Sequence, residues 1–175
     1  MPYQFRFTQT SVLSTCLKFF DKKSLMDLPM WKPHKQAKER RSSAIELTRV
    51  LVENRGKFVE SHYQEMLKIC IWKYTEAEGP SKHKTRYRST GSLRSSNEKL
   101  NHEHVVTSKS IRSRIMENPE DFERILHEAI ACTVLVSEHR LLNQTEKLRP
   151  ELNGWDRYRA AGIEVWDLLE GVRVV

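Results

Sequence analysis

Apolar residues recur at helical spacing in two consecutive stretches of the first half of the chain. The first follows Ser42 and Ser43, with Glu46 three residues after Ser43 as in a capping box. Its apolar positions are Ile45, Leu47, Val50, Leu51 and Val52. The second stretch has apolar positions three or four residues apart, at Tyr63, Met66, Leu67, Cys70, Ile71 and Tyr74. With Gly56 between the stretches, this pattern predicts a helical hairpin over residues 42–78.

Residues 102–175 instead alternate short β-branched runs with helical stretches. The pattern predicts strands over 102–106, 132–136 and 163–166, and helices over 108–116, from Pro119 onward, from Ser137 onward and from Trp155 to Gly162. Ser137 is expected to cap the helix that carries His139 in its first turn. We therefore predict an α+β fold in which the hairpin joins a small mixed core of short strands.

Size and composition predict one domain preceded by a basic arm. The 175 residues are 38% hydrophobic, enough for one core without disulfides. Residues 1–41 are expected to form an N-terminal segment and basic arm, because residues 21–41 contain Pro29, Pro33 and a base-rich run, which is typical of an arm or linker. The predicted domain covers residues 42–175, and its site-bearing core is expected in residues 102–175.

Cysteines and apolar runs favour an intracellular protein without a membrane partner. Cys16, Cys70 and Cys132 are too few and too scattered for a disulfide framework, and they form no Cys-x-x-Cys zinc motif. No apolar run approaches the roughly 20 residues that cross a bilayer. Residues 1–20 carry bases and no acid, a composition shared by mitochondrial presequences and by ordinary N-terminal tails. We expect a cytoplasmic setting and keep the presequence as the alternative.

Charge is unevenly distributed along the chain. The net charge is +7, and residues 115–175 hold 12 acids and 7 bases, so the positive charge belongs to the first two-thirds. Polyanions such as DNA or RNA are natural partners of such a surface, because bound phosphates release counterions. A solvated basic face without a ligand is the alternative interpretation.

The segment 79–101 has the composition of a phosphate-contacting loop. Guanidinium groups suit phosphate oxygens, and a tyrosine ring can stack on an unpaired base. The candidate nucleic-acid-binding residues are Lys82, Lys84, Arg86, Tyr87, Arg88, Arg94 and Lys99. No glycine-rich phosphate loop is present, so the sequence does not support P-loop nucleotide chemistry.

Two short motifs carry candidate chemistry. Glu103-His104-Val105-Val106-Thr107 and Glu138-His139-Arg140-Leu141-Leu142 each contain an acid followed by histidine. The arrangement over residues 102–107 and 132–142 resembles the HNH, or ββα-metal, endonucleases. The resemblance implies that Glu103 and His139 bind a divalent metal ion and that His104 is the general base. Such an ion, Mg²⁺ or Mn²⁺ with Zn²⁺ possible, would neutralise charge developing on a phosphodiester.

Two other arrangements of the same residues stay open. Side chains alternate along a strand, so His102 and His104 would point together and could join His139 in a three-imidazole site. In this set His104 and His139 are expected to face each other. A metal-free ribonuclease is the other option, with His102 or His104, Glu103, and Arg86 or Arg88 as acid, base and phosphate clamp.

The sequence thus leaves three functions open. The first is a metal-dependent nuclease acting on DNA or RNA. The second is a non-catalytic regulator or defence component that binds nucleic acid or nucleoprotein. The third is a metal-independent ribonuclease toxin. Structural histidines hydrogen-bonded at the edge of a core would also account for the motif.

Overall fold

The computed structural model describes residues 30–175, in which seven α-helices surround a five-stranded sheet. The helices are α1 (Ala37–Glu53), α2 (Glu60–Glu76), α3 (Thr90–Arg94), α4 (Ser108–Glu117), α5 (Phe122–His127), α6 (Val136–Leu148) and α7 (Trp155–Ala160). The strands are β1 (Tyr87–Ser89), β2 (Leu100–His104), β3 (Ala131–Leu135), β4 (Val165–Asp167) and β5 (Val172–Arg173). The predicted fold class is confirmed. The candidate presequence, residues 1–20, lies outside the described residues.

The strands form one mixed sheet in the order β2-β3-β1-β4-β5. Strands β1 and β3 are parallel, and the other neighbouring pairs are antiparallel. Helices α6 and α7 pack on one face around Cys132, Val134 and Leu142. Helices α1, α2, α4 and α5 share a separate core, which includes Tyr63 and Ile115. The sheet therefore carries different helices on its two sides, and β2 lies at its edge.

The helical hairpin is confirmed, although α1 begins at Ala37 rather than at Ser42 or Ser43. The prediction relied on a serine cap, but Gln36 precedes the helix and no side-chain cap is made. The end of the expected arm is packed against the domain. The Trp31 ring is 9% exposed, and its Nε1 donates to the Lys84 carbonyl at 3.0 Å. Tertiary contacts therefore extend the ordered body back to residue 30.

Segment 79–101 is not a simple loop, because it contains β1 and α3. Ser89 ends β1 and caps α3, since its Oγ accepts from Ser92 N at 3.0 Å. A β-carbon at Gly91 would collide with the Glu138 carboxylate, so α3 approaches α6 closely at this glycine. The alternating pattern of a three-residue strand is too short to recognise in a basic sequence. Pairing with β3 and β4 forms this strand.

Within residues 102–175, helix α4 was predicted nearly residue for residue, and α7 ends before Gly162, whose φ is +68°. Strands β2 and β3 lie one or two residues earlier than predicted. Helix α6 begins at Val136, so Ser137 is not its cap. The Glu98 carboxylate accepts from Ser137 N at 3.0 Å and caps the first turn instead. In residues 30–175, no helix is long and apolar enough to cross a membrane.

Candidate functional site

Strand β2 divides the His102-Glu103-His104 motif between the two faces of the sheet. Glu103 points toward α6 and α7, where it contacts His139 and Arg157. His102 and His104 point to the other face, where both rings contact Thr75 of α2. This is the alternation that a regular strand imposes. The three neighbouring residues therefore belong to two different environments.

Glu103 and His139 form a carboxylate–imidazole pair, called here the dyad. The His139 Nδ1 lies 2.5 Å from Glu103 Oε2, and Glu103 is only 7% exposed. The register of β2 against β3 places Glu103 opposite Cys132, four residues before α6 begins. The first turn of α6 then brings His139 back over Glu103. The two metal ligands implied by the HNH resemblance are thus brought together.

Arg157 of α7 is the third member of this cluster and contacts the Glu103 carboxylate oxygen that His139 does not. Its Nη2 donates to Glu103 Oε1 at 2.8 Å and to the His104 carbonyl at 2.7 Å, and its Nη1 lies 3.4 Å from Glu146 Oε2. The residue is 1% exposed, one of the most buried in the described chain. An isolated charge at such a depth is unfavourable, so each group of the Glu103–Arg157 pair offsets the cost of burying the other.

The buried role of Arg157 is not predicted by the sequence, where a basic residue of this kind either faces a ligand or, more often, stays solvated. Arg157 and Glu103 are 54 residues apart in the sequence, and no recognisable motif includes both. The neighbouring Trp155 and Tyr158 do predict a helix face on the core. A basic residue between two core aromatics was the only available signal, and it does not identify a partner.

The outer nitrogen of His139 points toward Asn143, one helical turn further along α6. Asn143 Nδ2 lies 3.1 Å from His139 Nε2, and the amide donates this hydrogen bond. Because Glu103 accepts from Nδ1, the ring is arranged as the Nδ1–H tautomer with a lone pair on Nε2. A histidine held in this way has an accepting nitrogen directed away from its carboxylate. The arrangement is suited to taking up a proton.

A cavity of about 730 Å³ lies next to the dyad and is called the dyad cavity. Asn143 and Glu146 line it, and these two residues contact His139 and Arg157 respectively. Glu151 adds a second carboxylate beside that of Glu146. Hydroxyl and ammonium groups form much of the remaining wall, from Thr107, Lys109, Ser110, Ser113 and Lys147. These hydroxyl and ammonium donors suit a ligand with several oxygen atoms, such as a phosphate.

His102 and His104 lie in a more enclosed environment on the opposite face. Their Nε2 atoms are 3.0 and 3.2 Å from Thr75 Oγ1, and His102 Nδ1 lies 2.9 Å from the Lys82 carbonyl. The Trp72 ring stacks on His102 with 5.1 Å between centroids. Burial, with the neighbouring His102 and Arg157, lowers the pKa of His104 to about 3. Burial also lowers the pKa of His102.

The three-imidazole arrangement is therefore wrong. His102 and His104 contact Thr75 on one face, whereas His139 contacts Glu103 on the other. The expectation that His104 and His139 face each other fails for the same reason, since successive residues of β2 point to opposite sides and it is Glu103 that meets His139. His104 does not share a site with the two ligands that the resemblance pairs it with.

The candidate nucleic-acid-binding residues are mostly engaged within the domain. Arg86 donates to both carboxylate oxygens of Asp167 at 2.8 and 2.5 Å. Arg88 donates to the Ser92 carbonyl at 2.6 Å, and burial lowers its pKa. Tyr87 packs against Trp155. Arg86, Arg88 and Tyr87 thus stabilise β1 and its surroundings rather than project into solvent.

The other members of that set have separate positions. Lys82 Nζ lies 4.7 Å from the centre of the Trp72 ring, and the Lys84 carbonyl accepts from Trp31. Arg94 is in the last turn of α3. The Lys99 carbonyl accepts from Val136 N at 3.0 Å, just before β2. These bases do not form one continuous loop surface, because β1 and α3 separate them.

The residues at the dyad do not fit a divalent metal ion. Glu103 and His139 supply only two donors, and the buried Arg157 cation already lies 2.8 Å from the same carboxylate. A second cation would be repelled by that guanidinium at short range in a weakly screened interior. Within residues 30–175, no group of three His, Cys, Asp or Glu side chains is placed to hold a metal.

Comparisons with known proteins identify no relative. No protein-family model matches the chain, and no curated protein or solved structure matches it significantly. The candidate site is therefore interpreted from its own geometry.

We expect the His104 environment to make the protein less stable in mild acid. The unfolded chain takes up a proton near pH 6.5, whereas folded His104 does so only near its pKa of about 3. Between these values the unfolded state binds more protons, so stability falls as the pH falls. His104 alone should remove about 2 kcal/mol between pH 7 and pH 5.

Urea denaturation of the unmodified protein and of His104→Gln at both pH values measures this contribution. The variant should lose less stability on acidification than the unmodified protein. His62→Gln, at an exposed position of α2, is the matched control and should behave like the unmodified protein. The same pH dependence in all three proteins would contradict the expectation.

Proposed function

We propose that this protein is a ribonuclease in which His139, oriented by Glu103, is the general base. The observation that carries the proposal is the Glu103–His139 dyad, whose outer nitrogen is hydrogen-bonded to Asn143, a residue that lines a cavity bearing lysines and hydroxyls. The proposal keeps nucleic acid as the substrate class expected from the basic composition. It replaces His104 by His139 as the base and favours the metal-independent option.

The chemistry follows from the positions of the donors and acceptors. The 2′-hydroxyl of an RNA strand in the dyad cavity would displace the Asn143 amide from His139 Nε2 and transfer its proton there. The 2′-oxygen then attacks the adjacent phosphorus, and the 5′-oxygen of the next nucleotide leaves and takes up a proton from water, while His139 later returns its proton to solvent. The products are a 2′,3′-cyclic phosphate and a 5′-hydroxyl end. General-base assistance of this kind contributes about 10²–10⁴-fold.

Glu103 and Arg157 support this proton transfer. When His139 becomes an imidazolium, the Glu103 carboxylate 2.5 Å from Nδ1 stabilises the new charge. Arg157 holds Glu103 by its other oxygen and also binds the backbone at His104. The carboxylate is therefore fixed in orientation before the substrate arrives, which is a general requirement for electrostatic stabilisation.

RNA is favoured over DNA by the absence of a fitting metal site at the dyad. RNA carries its own nucleophile next to the phosphate, so positioning and a base are sufficient for cleavage. Hydrolysis of DNA needs an activated water molecule, which nucleases commonly obtain from a metal ion. The cationic groups of the cavity wall, Lys109 and Lys147, are available to neutralise the phosphate.

One structural feature still supports the HNH-like alternative. Strands β2 and β3 are antiparallel neighbours and β3 leads directly into α6, although α4 and α5 separate the two strands in the chain; Glu103 lies on β2 and His139 on α6. A metal-dependent nuclease therefore remains the alternative outcome of the test. The other alternative, a non-catalytic nucleic-acid-binding protein, predicts binding without cleavage.

The deciding experiment incubates the purified protein with single-stranded RNA and with plasmid DNA, each with EDTA, Mg²⁺ or Mn²⁺. We expect RNA cleavage in EDTA, with cyclic phosphate ends detected by mass spectrometry, and intact DNA. Cleavage only when a metal is added would support the HNH-like alternative. Binding of RNA without cleavage under every condition would contradict the ribonuclease proposal.

We expect Lys109 and Lys147 to contribute to RNA binding through phosphate contacts. Replacing either lysine by alanine should lower the slope of log K against log salt by about 0.7, the value for one contact with a single strand. Fluorescence anisotropy with a labelled RNA at several salt concentrations measures this slope. Lys68→Ala, on an exposed site of α2 outside the cavity, should leave it unchanged. Equal slopes for all variants would place the RNA elsewhere.

A further inference from the structure

The sequence contains one asparagine that is followed by glycine, the pair Asn153-Gly154. The pair lies just before α7, and Asn153 is exposed and lines the dyad cavity together with Lys147 and Glu151. A glycine has no β-carbon, so its backbone nitrogen can approach the preceding side chain more closely than the nitrogen of a bulkier residue. The pair therefore joins a reactive sequence to the wall of the candidate site.

The local geometry brings the two reacting groups together. Gly154 N donates to Asn153 Oδ1 at 2.9 Å, so the backbone nitrogen lies beside the side-chain carboxamide. Gly154 precedes α7 with a φ of +58°, a conformation that other residues rarely adopt. Within residues 30–175, the Asn153 Nδ2 donates no hydrogen bond that would fix the carboxamide. The side chain is therefore free to turn its carbon toward the Gly154 nitrogen.

We propose that Asn153 is a self-modification site, at which the Gly154 nitrogen attacks the side-chain carboxamide. The bond from Gly154 N to Asn153 Cγ forms and the Cγ–Nδ2 bond breaks, so that Nδ2 leaves as ammonia with the proton of the backbone nitrogen. Water then opens the cyclic imide, adding its hydroxyl to one carbonyl carbon and its proton to the nitrogen. Opening at one carbonyl leaves aspartate at position 153, and opening at the other leaves isoaspartate.

Either product adds a carboxylate to the dyad cavity. The wall holds two lysines, Lys109 and Lys147, and two glutamates, Glu146 and Glu151, so its formal charges balance. A carboxylate at position 153 leaves three negative groups against two positive ones, which disfavours an anionic ligand. The isoaspartate also adds one carbon to the main chain directly before α7. The modification therefore changes both the charge and the backbone at the rim of the cavity.

Peptide mapping of the whole protein by mass spectrometry, before and after incubation at neutral and at mildly alkaline pH, tests the proposal. Trypsin should release residues 148–157 as one peptide, because the bond before Pro150 resists cleavage. We expect the mass of this peptide to rise by about 1 Da, as an amide becomes an acid. The rise should be faster at the higher pH, since the attacking nitrogen must lose its proton.

Asn97 and Asn118 are internal controls in the same molecule. Both are exposed, but Asn97 precedes Glu98, and Asn118 precedes Pro119, whose nitrogen carries no proton. Conversion at Asn153 should be at least about tenfold faster than at Asn97, which corresponds to a difference in barrier of about 1.4 kcal/mol. Asn118 should keep its amide by this route.

Asn153→Gln is the matched variant, because it keeps a neutral amide but would have to close a larger ring. We expect it to keep its mass under the same conditions. Asn153→Asp reproduces the charge of the product. If RNA occupies the dyad cavity, Asn153→Asp should bind RNA about two- to fivefold more weakly than Asn153→Gln, in keeping with the modest energy of one exposed charge. This binding comparison rests on the proposed function, whereas the peptide map does not.

Three results of the peptide map would overturn the proposal. They are an unchanged mass of residues 148–157, equal conversion rates at Asn97 and Asn153, and conversion of Asn153→Gln as fast as that of the unmodified protein. Equal RNA affinity of Asn153→Asp and Asn153→Gln would refute the effect on the cavity. Absence of RNA binding in the unmodified protein would count against the proposed function, and the peptide map would still decide the modification.

Discussion

Replacing His139 by alanine should reduce RNA cleavage by about 10²–10⁴-fold while RNA affinity stays nearly unchanged. The substitution removes the accepting Nε2 that is hydrogen-bonded to Asn143, but it leaves Lys109 and Lys147 in place. His139 is partly exposed, with 35% of its side chain accessible, so the fold should tolerate the change. Single-turnover cleavage of a labelled RNA, with affinity measured separately, determines both quantities.

His104→Ala is the informative comparison for this prediction. His104 faces Thr75 on the opposite side of the sheet, and burial holds its pKa near 3, so its loss should leave the cleavage rate per folded molecule nearly unchanged. The resemblance to HNH endonucleases implies the reverse order, with His104 as the base. An inactive His104→Ala protein that is correctly folded, beside an active His139→Ala protein, would refute the dyad mechanism.

Replacing Arg157 by methionine should lower the free energy of unfolding by about 3–5 kcal/mol, because Glu103 is left buried without its cationic partner. Domains of this size are stable by only about 5–15 kcal/mol, so the variant should melt at a much lower temperature. Arg157 is 1% exposed and also binds the His104 carbonyl, which the substitution leaves without that donor. Urea denaturation followed by circular dichroism measures the loss.

Arg159→Met provides the matched control for Arg157. Arg159 lies two residues later on α7, pairs with Asp156 and keeps 56% of its side chain exposed, so its loss should cost under about 1 kcal/mol. The double variant Arg157→Met with Glu103→Gln removes both charges and should recover part of the lost stability. If Arg157→Met were as stable as Arg159→Met, the buried ion pair would not have the role assigned to it.

The local parts of this fold follow closely from sequence patterns. The apolar spacing over 42–78 predicted the α1–α2 hairpin, and the predicted helix 108–116 differs from α4 by one residue. The prediction that His139 lies in the first turn of a helix directly after a strand is also confirmed. These features depend on neighbouring residues, whose periodicity the sequence displays directly.

The parts that were missed depend on partners distant in sequence. Strand β1 exists because Tyr87 and Arg88 pair with Cys132 and Thr133 of β3, although their own composition favours a solvated loop. The pairing of β1 with β4 also places Arg86 beside Asp167, so that it forms an ion pair instead of the predicted phosphate contact. A three-residue strand has too few positions to show alternation, so its neighbours determine it.

The candidate site shows the same division. The sequence alone predicted the strand with Glu103 and the helix with His139. It also predicted the alternation that separates Glu103 from His102 and His104. Only the tertiary structure decided which face receives α6 and α7, and therefore that Glu103 meets His139 and Arg157 while His104 meets Thr75. Periodicity fixes how side chains divide between two faces, but long-range packing determines what covers each face.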